Sequence, residues 1–518
     1  MICFGRTRRH EVLETIRRRT VVEDVRVPVP IGTDDIERQL LAYLPRSYSG
    51  KANASADCSK SKVSAVSAVS DCRTTWIRTD KGDPHERFRM SELLVSGGQV
   101  LLPDLSVERV DVLLDRDRGE IVDVGDVGGG DDELDASGGL VIPGLVNAHT
   151  HVAMTLLRGY ADDKPLDAWL REDIWPVEAE LTAEDVRTGA ELGLVEMLKS
   201  GTTALNDMYF FMPEVVDAVE QSGMRARLGY GSITVGRDED AAREEMRDGL
   251  AFAREYDGAA DGRIRTAFMP HSLTTVGEAY YREFVPEARE AGVPIHLHAN
   301  ETTDEVDPIV DEHGQRPLAY AADLGLLESE DYLAHGVHLD DSEIDLLAER
   351  GAGVVHCPAS NMKLASGMAP VQDLLDAGVP VGLGTDGAAS NNDLDMFDEM
   401  RDAAMLGKLA ADDASAVDAE SVVETATRGS AEILGFDSGW IEPGANADLA
   451  VIDLDAPHLT PAHDLVSHLV YAARGSDVRH TVADGQVLMR DREVTVFDEQ
   501  AVRERASERA RALVERAE

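Results

Sequence analysis

The chain has 518 residues and a formal net charge of -48, from 98 Asp and Glu against 50 Lys and Arg. Such a length can bury one barrel of about 250 residues with a smaller second domain. The charge argues against a nucleic-acid binder, because phosphates would be repelled and no basic stripe interrupts the acidity.

The acidity is not uniform. Residues 1 to 89 carry 17 Lys and Arg against 12 Asp and Glu, whereas the rest of the chain carries 33 against 86 and has four lysines, Lys164, Lys199, Lys363 and Lys408. Spread evenly, these carboxylates read as a solvated surface of the kind that keeps proteins soluble in high salt. The first 89 residues also hold Cys3, Cys58 and Cys72, leaving Cys357 alone in the remainder, so neither a disulfide framework nor a structural zinc cluster is expected. With basic blocks such as Arg17-Arg18-Arg19, a Ser/Ala/Lys stretch from Lys51 to Ser70 and no sustained periodicity, residues 1 to 89 are expected to be a non-native or disordered N-terminal extension. Met90 is then the physiological start, and a small appended domain is the alternative. The opening MICFGRTRRH lacks the apolar core of a secretory signal, and no apolar run reaches the roughly 18 residues of a membrane span, so a cytoplasmic protein is expected.

From Leu93 onward, short apolar strands alternate with Gly/Asp turns and read as hairpins. The pattern returns at Ala447 to Leu454 and at Val478 to Val482, where Ala483-Asp484-Gly485-Gln486 turns into Val487-Leu488. Residues 90 to 143 and 437 to 495 are therefore expected to form one small β-sandwich domain built from both termini, with a C-terminal helix over 496 to 518. Between them, residues 144 to 436 alternate apolar strands with amphipathic helices, including Ala204 to Asn206, Arg227 to Gly229, Arg265 to Phe268, Pro294 to His298, Leu333 to His335, Gly353 to His356 and Val381 to Gly384. About eight such repeats predict an α/β fold, a (β/α)8 TIM-type barrel. A doubly wound open sheet would place a Gly-rich phosphate loop after its first strand, where this chain has His149-Thr150-His151.

The polar candidates fall at strand ends, where barrel enzymes assemble their sites. His149 and His151 follow the first strand, His296 and His298 finish another, His335 ends Leu-Ala-His, and Asp386 ends Val-Gly-Leu-Gly-Thr-Asp. The simplest assignment is one divalent metal held by His149, His151, His298 and Asp386. Zn2+ suits three imidazoles and a carboxylate, and Fe2+ accepts the same donors; zinc lowers the pKa of a bound water to about 7. His296 shares a face with His298 but is expected one layer lower in the barrel. Glu301 follows His298 by three residues, at the lip of the site, where a carboxylate can carry a proton between water and a substrate nitrogen.

The segments PGLVNAHTH (143 to 151), LKSGTTALND (198 to 207), MPHS (269 to 272), IHLHANET (295 to 302), AHGVHL (334 to 339), HCPASNMKLASGMAPV (356 to 371) and LGTDGAASNNDLDMF (383 to 397) give the chain its likeness. Over residues 90 to 495 it resembles the amidohydrolase superfamily, and within it the deaminases of 5′-methylthioadenosine and S-adenosylhomocysteine. The resemblance implies a metal on His149, His151, His298 and Asp386, protonation of the purine ring by Glu301, and a water oriented and deprotonated by His335 and Asp386. It places substrate contacts on Glu178, at the ribose hydroxyls, and on His271, besides Glu301 and Asp386. Similar deaminases carry two arginines that meet the homocysteine carboxylate; here the first position reads Tyr230, and the second falls on Arg243 or Arg237. A missing guanidinium would weaken S-adenosylhomocysteine more than methylthioadenosine, which has no carboxylate. None of the four lysines is placed to bridge a second metal.

The resemblance implies a small-molecule nucleoside substrate, with neither nucleic acid nor membrane as partner and a homo-oligomer as an open alternative. Other members deaminate guanine or 5′-deoxyadenosine or dechlorinate triazines, and a barrel scaffold without catalysis is the reading from a different class.

Overall fold

The computed structural model describes residues 91 to 518. The expectations for residues 1 to 89, and for Met90 as a start, lie outside the described residues.

Residues from both ends of the described chain build two sheets. A four-stranded sheet runs Glu120–Gly125, Asp111–Asp115, Glu92–Ser96, Asp132–Asp135. A seven-stranded sheet contains Gln99–Leu101 and Gly139–Pro143 from the early part of the chain and Leu449–Asp453, Val478–Ala483 and Gln486–Arg490 from the late part. The joining pair is antiparallel, with Val451 opposite Val141. Along Glu92–Ser96 the side chains of Leu93 and Val95 are buried while their neighbours are half-buried, the period-two pattern of a strand with one covered face. Leu93, Val112 and Leu134 of the smaller sheet pack with Val100, Val141, Leu449 and Val482 of the larger one in a single apolar cluster. Asp484 and Gly485 both take left-handed backbone angles, φ 52° and 70°, and so form the tight two-residue turn anticipated between Ala483 and Gln486.

The chain leaves the seven-stranded sheet at Gly144, where an added Cβ would fall 2.1 Å from Thr203 Oγ1, and enters the barrel. Eight parallel strands follow among the described residues: Leu145–Thr150, Thr202–Tyr209, Arg225–Tyr230, Ile264–Thr266, His296–Ala299, Tyr332–His335, Gly353–His356 and Val381–Leu383. The first four pair in sequence order, as do the last four. The two halves are joined where His296 N donates to Phe268 O at 3.1 Å, and the ring closes where Asp386 N donates to His149 O at 3.0 Å. At this closure an added Cβ on Gly384 would lie 2.7 Å from His149 N, so a side chain there would force the eighth strand away from the first. The fold is a TIM-type α/β barrel, and it carries His149, His298, His335 and Asp386 at one mouth.

The helices wrap this ring. The one between the first two strands, Ala183–Lys199, starts with a reciprocal capping box between Thr182 and Asp185. The C-terminal helix Glu499–Ala517 lies against it, with Arg509 Nε donating to Asp185 Oδ1 at 2.7 Å. No helix of the described residues is long and apolar enough to cross a membrane.

Candidate active site

His149 is the fifth residue of the first barrel strand, and His151 stands just beyond its end, before the short 3-10 turn Val152–Leu157. The fifth strand supplies His298, the sixth ends on His335, and Asp386 follows the eighth by three residues. His335 and Asp386 both adopt left-handed backbone angles, φ 75° and 59°, a conformation costing on the order of 1 to 3 kcal/mol for a non-glycine residue. Strain of this kind persists where the surrounding structure imposes it, and these two residues face the same group of imidazoles.

The donors converge. Asp386 Oδ1 lies 3.2 Å from His151 Nε2 and 3.6 Å from His149 Nε2, and His151 Nε2 lies 3.3 Å from His298 Nε2. Asp386 Oδ2 faces away and accepts hydrogen bonds from Ser360 Oγ and Ser390 Oγ, each at 2.7 Å. Two main-chain carbonyls orient the imidazoles: His151 Nδ1 lies 2.5 Å from Met208 O and His298 Nδ1 2.9 Å from His271 O. A carbonyl oxygen only accepts, so both rings carry a proton on Nδ1 and turn Nε2 inward; on His298, held neutral by burial, that inward nitrogen is bare. His149 Nε2 is buried with no hydrogen-bond partner. Burial holds His149 neutral, lowering its pKa to about 4; at His151 burial acts in the same direction but Asp386 outweighs it and lifts the pKa to about 9. Imidazole nitrogens gathered on one carboxylate oxygen, with a buried nitrogen left unsatisfied, fit a divalent cation of the zinc type, whose binding would displace the proton that His151 shares with Asp386. His296 lies behind this layer, its Nε2 2.9 Å from His149 Nδ1.

Glu301 and His335 stand beside the donor set, His335 Nε2 3.7 Å from Glu301 Oε2. Asn361 Oδ1 accepts from His335 Nδ1 at 3.0 Å and turns Nε2 toward the site. Burial raises the pKa of Glu301 against the opposing effect of His335, which favours the protonated carboxyl that a proton donor needs. A cavity of about 970 Å³ opens above, lined by His271, His298, Glu301, Glu178, Phe210 and Arg237 among others. Glu178 is buried, accepts from Tyr209 OH at 2.7 Å, and is pushed up to about 7 by burial. His271 is held neutral by burial, with its pKa near 3, and its Nδ1 lies 3.0 Å from Thr275 Oγ1.

Two similarities are decisive. The model of the amidohydrolase family matches residues 140 to 488. The 5-methylthioadenosine/S-adenosylhomocysteine deaminase of Haloarcula marismortui is 77% identical over 430 residues, covering 83% of this chain and all of the relative. The chain belongs to the amidohydrolase family. This amidohydrolase is also 47% identical over 386 residues to the 5′-deoxyadenosine deaminase of Methanosarcina mazei, covering 74% of this chain and 89% of that one. A crystal structure of an adenosine deaminase from Xanthomonas campestris with bound zinc superposes with a TM-score of 0.77 at 38% identity, covering 82% of this chain and 98% of the other.

Two site expectations meet the geometry differently. Arg243 does not line the cavity of this amidohydrolase: it lies on the helix Glu239–Tyr256, pairs with Glu283 at 3.0 Å and Glu239 at 3.4 Å, and stacks over Tyr280. Arg237 takes the place on the wall, paired with Glu245 at 3.2 Å, because Asp238 caps the helix and leaves residue 237 just before it. Tyr230, standing where a first arginine was sought, also lines the cavity. Four supporting residues carried no role in the sequence reading: Tyr209, Ser360, Asn361 and Ser390. Ser360, Asn361 and Ser390 sit within the matching segments and Tyr209 two residues beyond one, at the end of the strand Thr202–Tyr209, so position in those segments was the signal that could have found them.

Proposed function

We propose that this amidohydrolase is a metal-dependent hydrolytic deaminase that converts 5′-methylthioadenosine, S-adenosylhomocysteine or a related 5′-modified adenosine to the inosine analogue and ammonia. The observation that carries the reading is the gathering of His149 and His151 on Asp386 Oδ1, with His298 Nε2 beside His151 Nε2, in a small pocket that shares His298 and the buried Glu301 with the large cavity. Those four donors would hold one cation, Zn2+ before Fe2+, and it would supply an activated water next to purine C6. Glu301 delivers a proton to N1, which draws electron density away from C6. His335, held by Asn361, and Asp386 orient the water and take its proton as its oxygen bonds to C6; that proton passes to the amino group, the C6–N bond breaks and ammonia leaves, while Glu301 regains its proton from the new hydroxyl. Glu178 accepts hydrogen bonds from the ribose hydroxyls, and His271 contacts the purine.

The cavity supports a 5′-modified nucleoside over a bare base. It extends past Glu178 to Phe210, Tyr230 and Arg237, which leaves room for a substituent beyond the ribose. Deamination of 5′-deoxyadenosine is the second reading, favoured by the 47% identical Methanosarcina relative. A scaffold without catalysis is disfavoured by the complete donor set. The proposal includes one β-sandwich formed by the two sheets, a barrel over residues 144 to 436, and a cytoplasmic enzyme.

The test is ammonia release from adenosine, methylthioadenosine, S-adenosylhomocysteine and 5′-deoxyadenosine by the metal-loaded enzyme at high salt. The highest kcat/KM is expected for one of the two thioethers, with absorbance moving from adenine-like to hypoxanthine-like. Inertness toward all four, with metal bound at one equivalent, would end the proposal.

A further inference from the structure

His151 and His298 are oriented by main-chain carbonyls, but the Nδ1 of His149 faces a third imidazole instead, that of His296 at 2.9 Å. Two facing ring nitrogens are ambiguous in isolation, since either can be the donor. The far side of His296 resolves the ambiguity: its Nδ1 lies 3.0 Å from Tyr332 O, which can only accept. That nitrogen therefore carries the ring proton. Both rings are fully buried and His296 Nε2 faces only another imidazole, with no carboxylate to balance a second proton, so this nitrogen has a lone pair and no hydrogen.

We infer that His296 is a positioning residue that fixes the tautomer of His149, relaying the orientation of the Tyr332 carbonyl to the metal site. His149 is obliged to place its proton on Nδ1, and its Nε2, the buried nitrogen without a partner, presents a lone pair beside His151 and Asp386. The geometry of the relay is held on its other face. The His296 ring stacks on the Tyr332 ring with centroids 4.2 Å apart and planes 19° apart, and Tyr332 OH donates to Asn206 Oδ1 at 2.7 Å. A neutral imidazole suits the place because it donates from one edge and accepts at the other, whereas an alkyl or aryl side chain does neither. The inference rests on the proposed metal site and adds to it a residue that touches neither cation nor substrate. Outer partners of this kind typically contribute a factor of about 10 to 100 in metal affinity.

The experiment uses the full chain and Zn2+ alone. His296→Phe keeps an aromatic ring against Tyr332 and removes both nitrogens; His296→Gln returns an amide oxygen that can accept from His149. Zinc affinity is read by competition with a chelator, and the His149 tautomer by 15N histidine NMR of the metal-free protein, assigned with a His149→Gln reference. The parent is expected to show His149 protonated on Nδ1. His296→Phe is expected to bind zinc about 10-fold to 100-fold more weakly and to shift His149 toward the Nε2-protonated form. His296→Gln should recover most of the affinity, and melting in chelator should be similar for parent and variants. A parent whose metal-free His149 is protonated on Nε2 overturns the inference even if no variant folds. So does a His296→Phe protein that binds zinc as tightly as the parent. A parent that binds no stoichiometric zinc while keeping the Nδ1 tautomer would instead sink the metal reading and leave the relay standing.

Discussion

Tyr209 donates its phenolic hydroxyl to Glu178 Oε1 at 2.7 Å, and both residues are buried. Burial raises Glu178 to about 7, and the Tyr209 hydrogen bond acts against that rise. A carboxylate accepts two ribose hydroxyls better than a carboxylic acid does, so KM for methylthioadenosine should fall as pH rises from 6 to 8. Tyr209→Phe removes the opposing hydrogen bond, pushes Glu178 further up, and moves this limb to higher pH. At pH 7 an increase in KM of about 3-fold to 10-fold is expected with kcat little changed, in line with the loss of one hydrogen bond to an ionisable group. A KM profile that coincides with that of the parent would remove Glu178 from the ribose site.

Glu301 stands 3.7 Å from His335 and ligates nothing in the proposed site. Glu301→Gln keeps the shape and removes the proton carrier. Metal content measured by elemental analysis should be unchanged while kcat falls by about 100-fold to 10,000-fold. Turnover within a few-fold of the parent would assign the proton transfer to another group.

Asp386 divides its two oxygens, Oδ1 toward the histidines and Oδ2 toward Ser360 and Ser390. The hydroxyls prevent the carboxylate from rotating and hold Oδ1 in place. Replacing both serines by alanine should weaken zinc binding by about 10-fold to 100-fold in a chelator competition, with either single change intermediate. Equal affinity in the double variant would mean that the strained backbone at residue 386 is sufficient to fix the carboxylate.

The barrel and the gathering of its polar strand-end residues were legible because strand ends in a parallel barrel all face one mouth, so the histidine pair at 149 and 151 and the later His298, His335 and Asp386 had to meet. The antiparallel pairing of Gly139–Pro143 with Leu449–Asp453 joins segments about 300 residues apart, and no local pattern specifies which early strand a late one adopts. Nothing local marks Ser360, Asn361 and Ser390, because serine and asparagine in the short helix Pro358–Lys363 or in a loop beyond a strand are ordinary local hydrogen-bonding residues. Which of Arg237 and Arg243 stands on the cavity wall turns on one capping residue. Asp238 accepts from Ala241 N and starts the helix, which puts Arg237 before it and Arg243 on its outer face.

That register makes a substrate prediction. If a carboxylate on the 5′ substituent meets an arginine, Arg237 on the cavity wall is the one within reach. Arg237→Gln should lower kcat/KM for S-adenosylhomocysteine by about 10-fold to 100-fold and leave methylthioadenosine nearly unaffected, as expected for loss of a charge-assisted pair. Arg243→Gln, on the outer face, should change neither. Equal losses on both substrates would show Arg237 acting through its pair with Glu245 on the shape of the wall.

His356 ends the seventh strand, is 2% exposed, and has neither ring nitrogen hydrogen-bonded. Burial lowers its pKa from 6.5 to about 3. Between those values the unfolded chain binds a proton that the folded chain does not, so stability falls as pH drops below about 6.5. The slope is at most about 1.4 kcal/mol per pH unit for this one group. His149 and His271, at about 4 and about 3, act with the same sign, whereas Glu305, raised by burial to about 8, acts with the opposite sign between about 4.5 and 8. His356→Leu removes one titrating group that is not part of the proposed site. Denaturant melts at pH 5, 6 and 7 in excess chelator and fixed high salt should show a shallower decline than the parent, with the two curves separating by about 2 kcal/mol from pH 7 to pH 5. Curves that stay parallel over that range would mean that His356 is protonated in the folded chain.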